Sequence, residues 1–108
     1  MGIENRRHER IDIAIEVRVS GTDTGGQPIE ESTLSGDISL SGCSVLLSQE
    51  LAGGVELDLK FLHRTPGVEE PRVLELHASV VRSIPMNQEQ YIVGMQFLNG
   101  TFPMEILK

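Results

Sequence analysis

Alternation of apolar and polar residues with a period of two is the feature that most constrains the fold of this chain. The pattern is clearest in residues 11–20, and it recurs in residues 55–61 and 74–80. Successive side chains of a β-strand point to opposite faces, so each of these segments has one apolar face to bury. The first segment carries its apolar side chains at Ile11, Ile13, Ile15, Val17 and Val19. The alternation therefore predicts three amphipathic strands.

Three further strands are predicted from weaker patterns in residues 34–39, 43–47 and 91–98, which turn residues separate from their neighbours. Val, Ile and Thr together number 23 and Ala only 3, a balance that favours sheet over helix. Only the tail, residues 102–107, has the pattern of a helical turn. Residues 64–72 contain Pro, Gly and Glu, and we expect them to form an exposed loop.

Six short strands in a chain of 108 residues indicate a single all-β domain. Closing the strands into a small antiparallel barrel hides both sheet edges, and we predict this fold for residues 11–108. A β-sandwich is the alternative that the pattern leaves open. Residues 1–10 precede this domain as an Arg-rich N-terminal arm, which we expect to be flexible until a ligand orders it.

The charge of the chain is acidic overall and unevenly distributed. The net charge is −7, yet residues 1–20 are balanced, so residues 21–108 carry the whole excess. This charge disfavours indiscriminate binding to DNA, RNA or an anionic membrane. No apolar run approaches the roughly 18 residues of a membrane span, and the first residues do not resemble a secretory signal. We therefore expect a soluble cytoplasmic protein without DNA or RNA as a partner and without membrane insertion.

Motifs of the common enzyme classes are absent from the sequence. It contains no phosphate-binding glycine loop, zinc-protease motif or serine-hydrolase motif, and the histidines, His8, His63 and His77, are scattered. Cys43 is the only cysteine, which excludes an internal disulfide and a cysteine-rich zinc site. A cysteine without an activating neighbour is more often a small core residue than a nucleophile. We expect no catalytic residue, no metal and no cofactor.

The first candidate ligand-binding feature is a group of arginines immediately before the first strand, namely Arg6, Arg7 and Arg10. Arginine binds phosphate bidentately, pairs with the O6 and N7 edge of guanine and stacks on a base, whereas lysine cannot do all three. Arginine at all three positions therefore indicates an anionic, guanine-like ligand. The alternative is a solvated N-terminal tail.

The second candidate feature is the pattern D-x-S-x-x-G, formed by Asp37, Ser39 and Gly42. Side chains two apart on a strand project from the same face, so we expect Asp37 and Ser39 to lie together. A carboxylate can accept the N–H groups of guanine, a hydroxyl can bond a phosphate, and glycine lets the backbone turn close to a ligand. The alternative is a turn in which Asp37 and Ser39 satisfy nearby backbone groups.

In their order, separation and strand context, these two features resemble the paired motifs of the PilZ domain family. The matching positions are Arg6 and Arg10 for R-x-x-x-R, and Asp37, Ser39 and Gly42 for D-x-S-x-x-G. Residues 91–97 are also similar to the last barrel strand of that family, with Gly94 and Phe97 three apart. The resemblance covers nearly the whole chain. It departs from the family at the C-terminus, because members commonly end in a helix and residues 102–108 leave barely one turn.

The resemblance implies a six-stranded barrel that binds the bacterial second messenger cyclic di-GMP on its outer surface. The ligand contacts that it implies are Arg6, Arg7, Arg10, Asp37, Ser39 and Gly42. In this family the arginines contact phosphate and guanine, with Arg7 in a supporting role. The aspartate and the serine hold a guanine, and the glycine permits the turn.

A protein of this kind is expected to be a non-enzymatic receptor or adaptor that links the messenger to motility, biofilm or exopolysaccharide output through a protein partner. Binding is expected to order the N-terminal arm against the barrel and so change the surface that the partner contacts. The alternative is a PilZ-like interaction module that binds the nucleotide weakly or not at all. The sequence leaves open whether one or two cyclic di-GMP molecules bind.

Overall fold

The computed structural model of the chain describes residues 10–107. These residues form seven β-strands and one short 3₁₀ turn. In chain order the elements are β1 (Ile11–Asp12), β2 (Glu16–Thr22), β3 (Pro28–Ile38), β4 (Gly42–Leu47), β5 (Glu56–His63), β6 (Arg72–Pro85), β7 (Tyr91–Phe97) and the 3₁₀ turn (Met104–Leu107). All the strand pairings are antiparallel. Within this part of the chain, no helix is long and apolar enough to cross a membrane.

Six of the strands close into a barrel. Neighbouring strands follow the order β3, β2, β5, β6, β7 and β4, and β4 pairs with β3 to complete the ring. β1 is an additional short strand that pairs with the end of β3. The closed ring confirms the predicted six-stranded antiparallel barrel rather than the sandwich, and closure pairs both edges of the sheet.

The apolar faces of the strands fill the interior of the barrel. Phe61 packs edge-to-face against Phe97 and Phe102, with ring centroids 6.2 and 5.1 Å apart. Phe102 follows the last strand, and the 3₁₀ turn after it packs partly buried side chains against the same core. The helical turn predicted for the tail is therefore confirmed. The other large side chains that are fully buried are Ile29, Ile38, Leu47, Leu57, Leu59, Val17, Val19, Val45 and Val93.

Cys43 belongs to this core, as the sequence predicts. Its side chain is buried on the inner face of β4. Burial raises the pKa of the Cys43 thiol to about 12, while the nearby Asp37 carboxylate adds to the increase and the Arg10 guanidinium opposes it. The thiol is therefore a core group that lies close to two of the predicted ligand-binding residues.

The first predicted strand, residues 11–20, is divided into β1 and β2. Residues 13–15 lie between them, and the Ser35 side chain takes over part of the pairing there. Its hydroxyl donates a hydrogen bond to the carbonyl of Ile13 and accepts one from the N–H of Ile15. Ile13 and Ile15 still pack on the core, so the apolar face continues through the break.

Two strands are longer than the sequence predicts. β3 begins at Pro28 rather than near residue 34, because the polar Glu31 and Thr33 share a face with the buried Ile29 and hide the alternation. β6 continues to Pro85 rather than ending near residue 80. The loop predicted between β5 and β6 is confirmed, since residues 64–70 are exposed and join the two strands.

Candidate functional site

Two β-bulges shape one region of the outer barrel surface. The register of β3 shifts at Gly36, and the register of β6 shifts at Val81. A bulge inserts one unpaired residue, bends its strand and redirects the neighbouring side chains. Asp37 and Arg82 follow directly after these inserted residues, so each bulge sets the direction of a charged side chain.

Four residues from four strands form a row between the two bulges. Asp37 of β3 pairs with Ser44 of β4, which pairs with Gly94 of β7, which pairs with Arg82 of β6. Adjacent strands lie about 4.8 Å apart, so roughly 14 Å separates the two ends of the row along the sheet. The topology therefore brings a carboxylate and a guanidinium to opposite ends of one surface.

This row lines a groove of about 410 Å³, which we call the site groove. Arg10 also lines it, together with the apolar side chains of Val81, Ile84 and Ile92. Sites for small molecules commonly combine apolar walls with a few polar groups that fix the orientation of the ligand. The site groove has this composition, with cations, a carboxylate and a hydroxyl beside apolar surface.

An ion pair between Arg10 and Asp37 lies at one end of the site groove. Arg10 Nη1 donates a hydrogen bond of 2.9 Å to Asp37 Oδ1, between residues 27 positions apart in the sequence. The two side chains remain 34% and 25% exposed, so solvent screens the pair and it contributes little to stability. The structure thus brings together one residue from each predicted motif, and both charged groups remain accessible to a ligand.

Of the predicted arginines, Arg10 alone lies in the part of the chain that the structure describes. Arg6 and Arg7 fall within residues 1–9, outside that part. Their roles, and the flexible arm over residues 1–10, therefore stay predictions.

Ser39 lies just beyond β3, in the turn that leads to β4. Its side chain is only 2% exposed, and its hydroxyl accepts hydrogen bonds of 3.2 Å from the N–H groups of Ser41 and Gly42. Its backbone N–H donates to the carbonyl of Gly42 at 2.8 Å. Ser39 therefore satisfies backbone groups of its own turn, as the alternative interpretation of this residue holds, and it does not line the site groove. Its contact with a ligand stays a prediction.

The structure gives Gly42 a packing role that the sequence does not indicate, and its role near a ligand stays a prediction. Its backbone is outside the left-handed region, so the turn does not need glycine for its φ angle. A Cβ atom at this position would instead overlap the carbonyl oxygen of Met95 on the neighbouring strand β7. Gly42 thus permits the close pairing of β4 with β7.

Sequence reasoning did not assign Ser44, Arg82 and Gly94 to the site. The signal for Gly94 is present, because an isolated glycine in a strand pattern often marks a bulge or a close backbone approach. A Cβ atom at Gly94 would meet nothing nearer than the carbonyl oxygen of Arg82, at 4.0 Å. Packing therefore does not require glycine here. Arg82 carries no comparable local signal, since its position depends on the bulge in β6.

A larger depression of about 640 Å³, which we call the polar groove, lies on the outer faces of β2, β3, β5 and β6. His77 lines it, with Nδ1 2.8 Å from Asp58 Oδ1 and Nε2 2.9 Å from Glu56 Oε1. Hydrogen bonds to Glu56 and then to Asp58 are the main causes that raise the pKa of His77 above its ordinary 6.5. Residues 10–107 contain no group of three or more His, Cys, Asp or Glu placed to hold a metal ion.

The fold and the site groove together define a class: small antiparallel β-barrels whose interior is filled and whose candidate ligand site lies on the outer surface. The family model of the PilZ domain matches residues 4–107. The chain therefore belongs to the PilZ domain family, a family of cyclic di-GMP receptors whose domains are typically non-enzymatic. A search of curated proteins finds no match.

Solved structures of PilZ proteins are similar to this chain. The Bacillus subtilis inhibitor of motility MotI/DgrA matches with a TM-score of 0.66 and 27% identity, over 91% of this chain and 44% of that protein. This chain thus spans less than half the length of MotI/DgrA. The c-di-GMP-bound PilZ domain of YcgR from Escherichia coli matches with a TM-score of 0.59 and 18% identity, over 89% and 79% of the two chains. MrkH of K. pneumonia in complex with c-di-GMP matches with a TM-score of 0.58 and 16% identity, over 89% and 45%.

Proposed function

We propose that this protein is a cytoplasmic, non-enzymatic receptor that binds cyclic di-GMP in the site groove. The observation that carries the proposal is the exposed ion pair between Arg10 and Asp37, at one end of a groove, in a chain of the PilZ family. The two residues come from separate motifs that the family resemblance assigns to the same ligand. The proposal explains why charges 27 positions apart meet on the outer surface.

The chemistry of the pair suits a guanine nucleotide. The guanidinium of Arg10 can bind a phosphate bidentately or pair with the O6 and N7 edge of guanine. The carboxylate of Asp37 accepts hydrogen bonds only, which suits the N–H groups of the opposite guanine edge. In the absence of ligand each group holds the other in place, so less side-chain entropy is lost when the nucleotide binds.

The remaining motif residues act around this pair. Arg6 is proposed to contact phosphate, with Arg7 in support, as the family resemblance implies. Ser39 and Gly42 hold the turn that follows Asp37, since the Ser39 hydroxyl bonds the backbone of that turn. A direct contact between Ser39 and a guanine, which the resemblance also implies, requires this hydroxyl to leave the turn.

The output of the receptor is proposed to be a changed surface that a protein partner recognises. Binding orders the N-terminal arm against the site groove, and the ordered arm forms part of the new surface. Control of motility, biofilm or exopolysaccharide synthesis is the proposed result. The similarity to MotI/DgrA, an inhibitor of motility, supports the motility branch of this proposal.

Isothermal titration calorimetry with cyclic di-GMP tests the proposal, with GTP as the control nucleotide. Wild-type protein is expected to bind saturably, and Arg10→Ala and Asp37→Ala are each expected to abolish binding. The free energy of unfolding should change by less than about 1 kcal/mol, because the pair is exposed. The stoichiometry distinguishes one bound nucleotide from two.

Arg64→Ala is the matched control for Arg10→Ala. Arg64 is likewise an exposed arginine in an ion pair, at 3.4 Å from Glu16, but it does not line the site groove. The control variant should bind cyclic di-GMP like the wild type. A folded wild type that releases no heat at high ligand concentration would contradict the receptor function and favour the interaction module.

A further inference from the structure

The half of the site groove formed by β6 and β7 has an apolar wall that none of the motif residues explains. Val81, Ile84 and Ile92 line it, and they are 59%, 43% and 38% exposed. Ile84 and Ile92 are direct partners across the two strands. Single exposed apolar side chains are common on protein surfaces, but three that converge in a groove beside a cation indicate a contact surface.

At Gly94 the backbone of β7 lines this half of the groove directly, because glycine has no side chain to cover it. Glycine inside a strand is destabilising relative to alanine, so its presence calls for a local reason. Packing within the barrel does not supply that reason, since a Cβ atom would lie 4.0 Å from its nearest neighbour. A missing side chain on an outward position lets a flat group approach the strand closely.

Arg82 lies directly across from Gly94 and lines the same half of the groove. In the described part of the chain its guanidinium makes no hydrogen bond or ion pair, as is also true of Arg18 and Arg72, whereas Arg10 and Arg64 each pair with a carboxylate. Of the three unpaired arginines, Arg82 alone lines the site groove. A planar guanidinium binds phosphate and stacks on aromatic rings. An unpaired one beside an apolar wall suits a ligand that carries both a ring and an anionic group.

We infer that the β6–β7 half of the site groove binds a planar base, which lies on the backbone at Gly94 against Val81, Ile84 and Ile92, with Arg82 at its edge or on its phosphate. The inference rests on the proposed function and deepens it. Roughly 14 Å of sheet separates Asp37 from Arg82, so a nucleotide with two bases and two phosphates can engage both ends of the groove. Gly94 is then a specificity-determining residue, because a side chain there fills the space of the ring.

Gly94→Val is the variant that tests this inference, with Gln96→Val as its matched control. Gln96 is the next outward residue on β7, and it does not line the site groove. A β-branched residue favours strand structure, so both variants should unfold at or above the wild-type temperature. Gly94→Val should bind cyclic di-GMP more than roughly tenfold more weakly, whereas Gln96→Val should match the wild type.

Two further measurements distinguish the loss of a bound base from a change in folding. Gly94→Ala adds a methyl group whose nearest neighbour, the carbonyl oxygen of Arg82, lies 4.0 Å away without overlap, so the variant should fold and bind with an intermediate affinity. In wild-type protein, a stacked base should shift the methyl NMR signals of Ile84 and Ile92 upfield. A wild type that binds cyclic di-GMP while Gly94→Val binds equally well overturns the inference alone. A wild type that binds none overturns the proposed function and the inference together.

Discussion

The polar groove and the site groove differ in the apolar side chains that they expose to a ligand. The polar groove is the larger, at about 640 Å³ against about 410 Å³ for the site groove. Its His77 is bonded on both ring nitrogens, and its Lys60 lies 3.6 Å from Glu75. Each groove also holds one arginine, Arg18 or Arg82, whose guanidinium has no hydrogen bond or ion pair among residues 10–107. The apolar side chains that line the polar groove are buried, whereas Val81, Ile84 and Ile92 in the site groove are exposed.

This difference teaches that volume alone does not identify a binding site. Apolar side chains that are exposed in the free protein gain from being covered by a ligand, and the lining of the polar groove contains none of them. An unpaired guanidinium, exposed apolar side chains and a glycine that packing does not require all leave interactions for a ligand to make. The smaller groove is therefore the better candidate for the ligand site.

The largest effect on stability is expected for Gly42→Ala. The added Cβ atom would overlap the carbonyl oxygen of Met95, so β4 and β7 must separate. We expect a loss of about 2–3 kcal/mol in the free energy of unfolding, measured in urea. Gly94→Ala is the matched control within the site groove, and its stability should not fall. Equal losses of unfolding free energy in the two variants would contradict the conclusion that packing requires glycine at Gly42 but not at Gly94.

Ser39→Ala should give the next largest loss. It removes the hydroxyl that accepts from the N–H groups of Ser41 and Gly42, and Gly42 is buried. An unsatisfied buried donor lowers the free energy of unfolding by about 1–2 kcal/mol, which urea titration can measure. Ser32→Ala, at an exposed serine in the polar groove, should leave stability unchanged. A wild-type stability for Ser39→Ala would show that the turn does not depend on this hydroxyl.

His77→Gln should change the pH dependence of stability without affecting ligand binding. The pKa of His77 is raised above its ordinary 6.5 in the folded state, chiefly by Glu56. Its stabilising effect is therefore fully present below pH 6.5, and it is lost as the pH rises through the folded pKa. Melting temperatures between pH 5.5 and 8.5 should fall more steeply for the wild type than for the variant. Parallel plots of melting temperature against pH would show that His77 does not contribute to stability in this way. A weakened affinity for cyclic di-GMP would show that the polar groove takes part in ligand binding.

The smallest effect is expected for Lys60→Gln in the polar groove. Lys60 forms an exposed ion pair with Glu75, and it also lies directly opposite Arg18 across β2 and β5. An exposed pair contributes little and a like-charge neighbour opposes it, so the free energy of unfolding should change by less than about 0.5 kcal/mol. Calorimetry should give an unchanged affinity for cyclic di-GMP. A lost affinity would move the ligand site to the polar groove.

Much of the fold could be predicted because the signal for a strand is local. The alternation in residues 55–61 and 74–80 is visible within a few positions, and both segments lie in strands. The break at residues 13–15 could not be predicted, since it depends on the Ser35 side chain from another strand. The start of β3 at Pro28 could not be predicted either, because the inner face of this part of the strand is partly polar and hides the alternation.

The geometry of the candidate site could be predicted in part for the same physical reason. Asp37 and Arg10 carry charges that motif spacing can reveal, and the structure joins them at 2.9 Å. Ser39 is of a residue type that often contacts ligands, yet its side chain is buried and its hydroxyl bonds the backbone of the turn. Gly42 and Gly94 look alike in the sequence, and only their neighbours on adjacent strands distinguish them.

The sequence by itself determined the all-β class, the apolar faces, the core position of Cys43 and the two charged motifs, because side-chain polarity and spacing are local properties. The tertiary structure alone decided that Ser44, Gly94 and Arg82 extend the row that begins at Asp37. That row depends on the register between strands far apart in the chain and on two bulges. Register is a property of strand pairs, and no single segment encodes it.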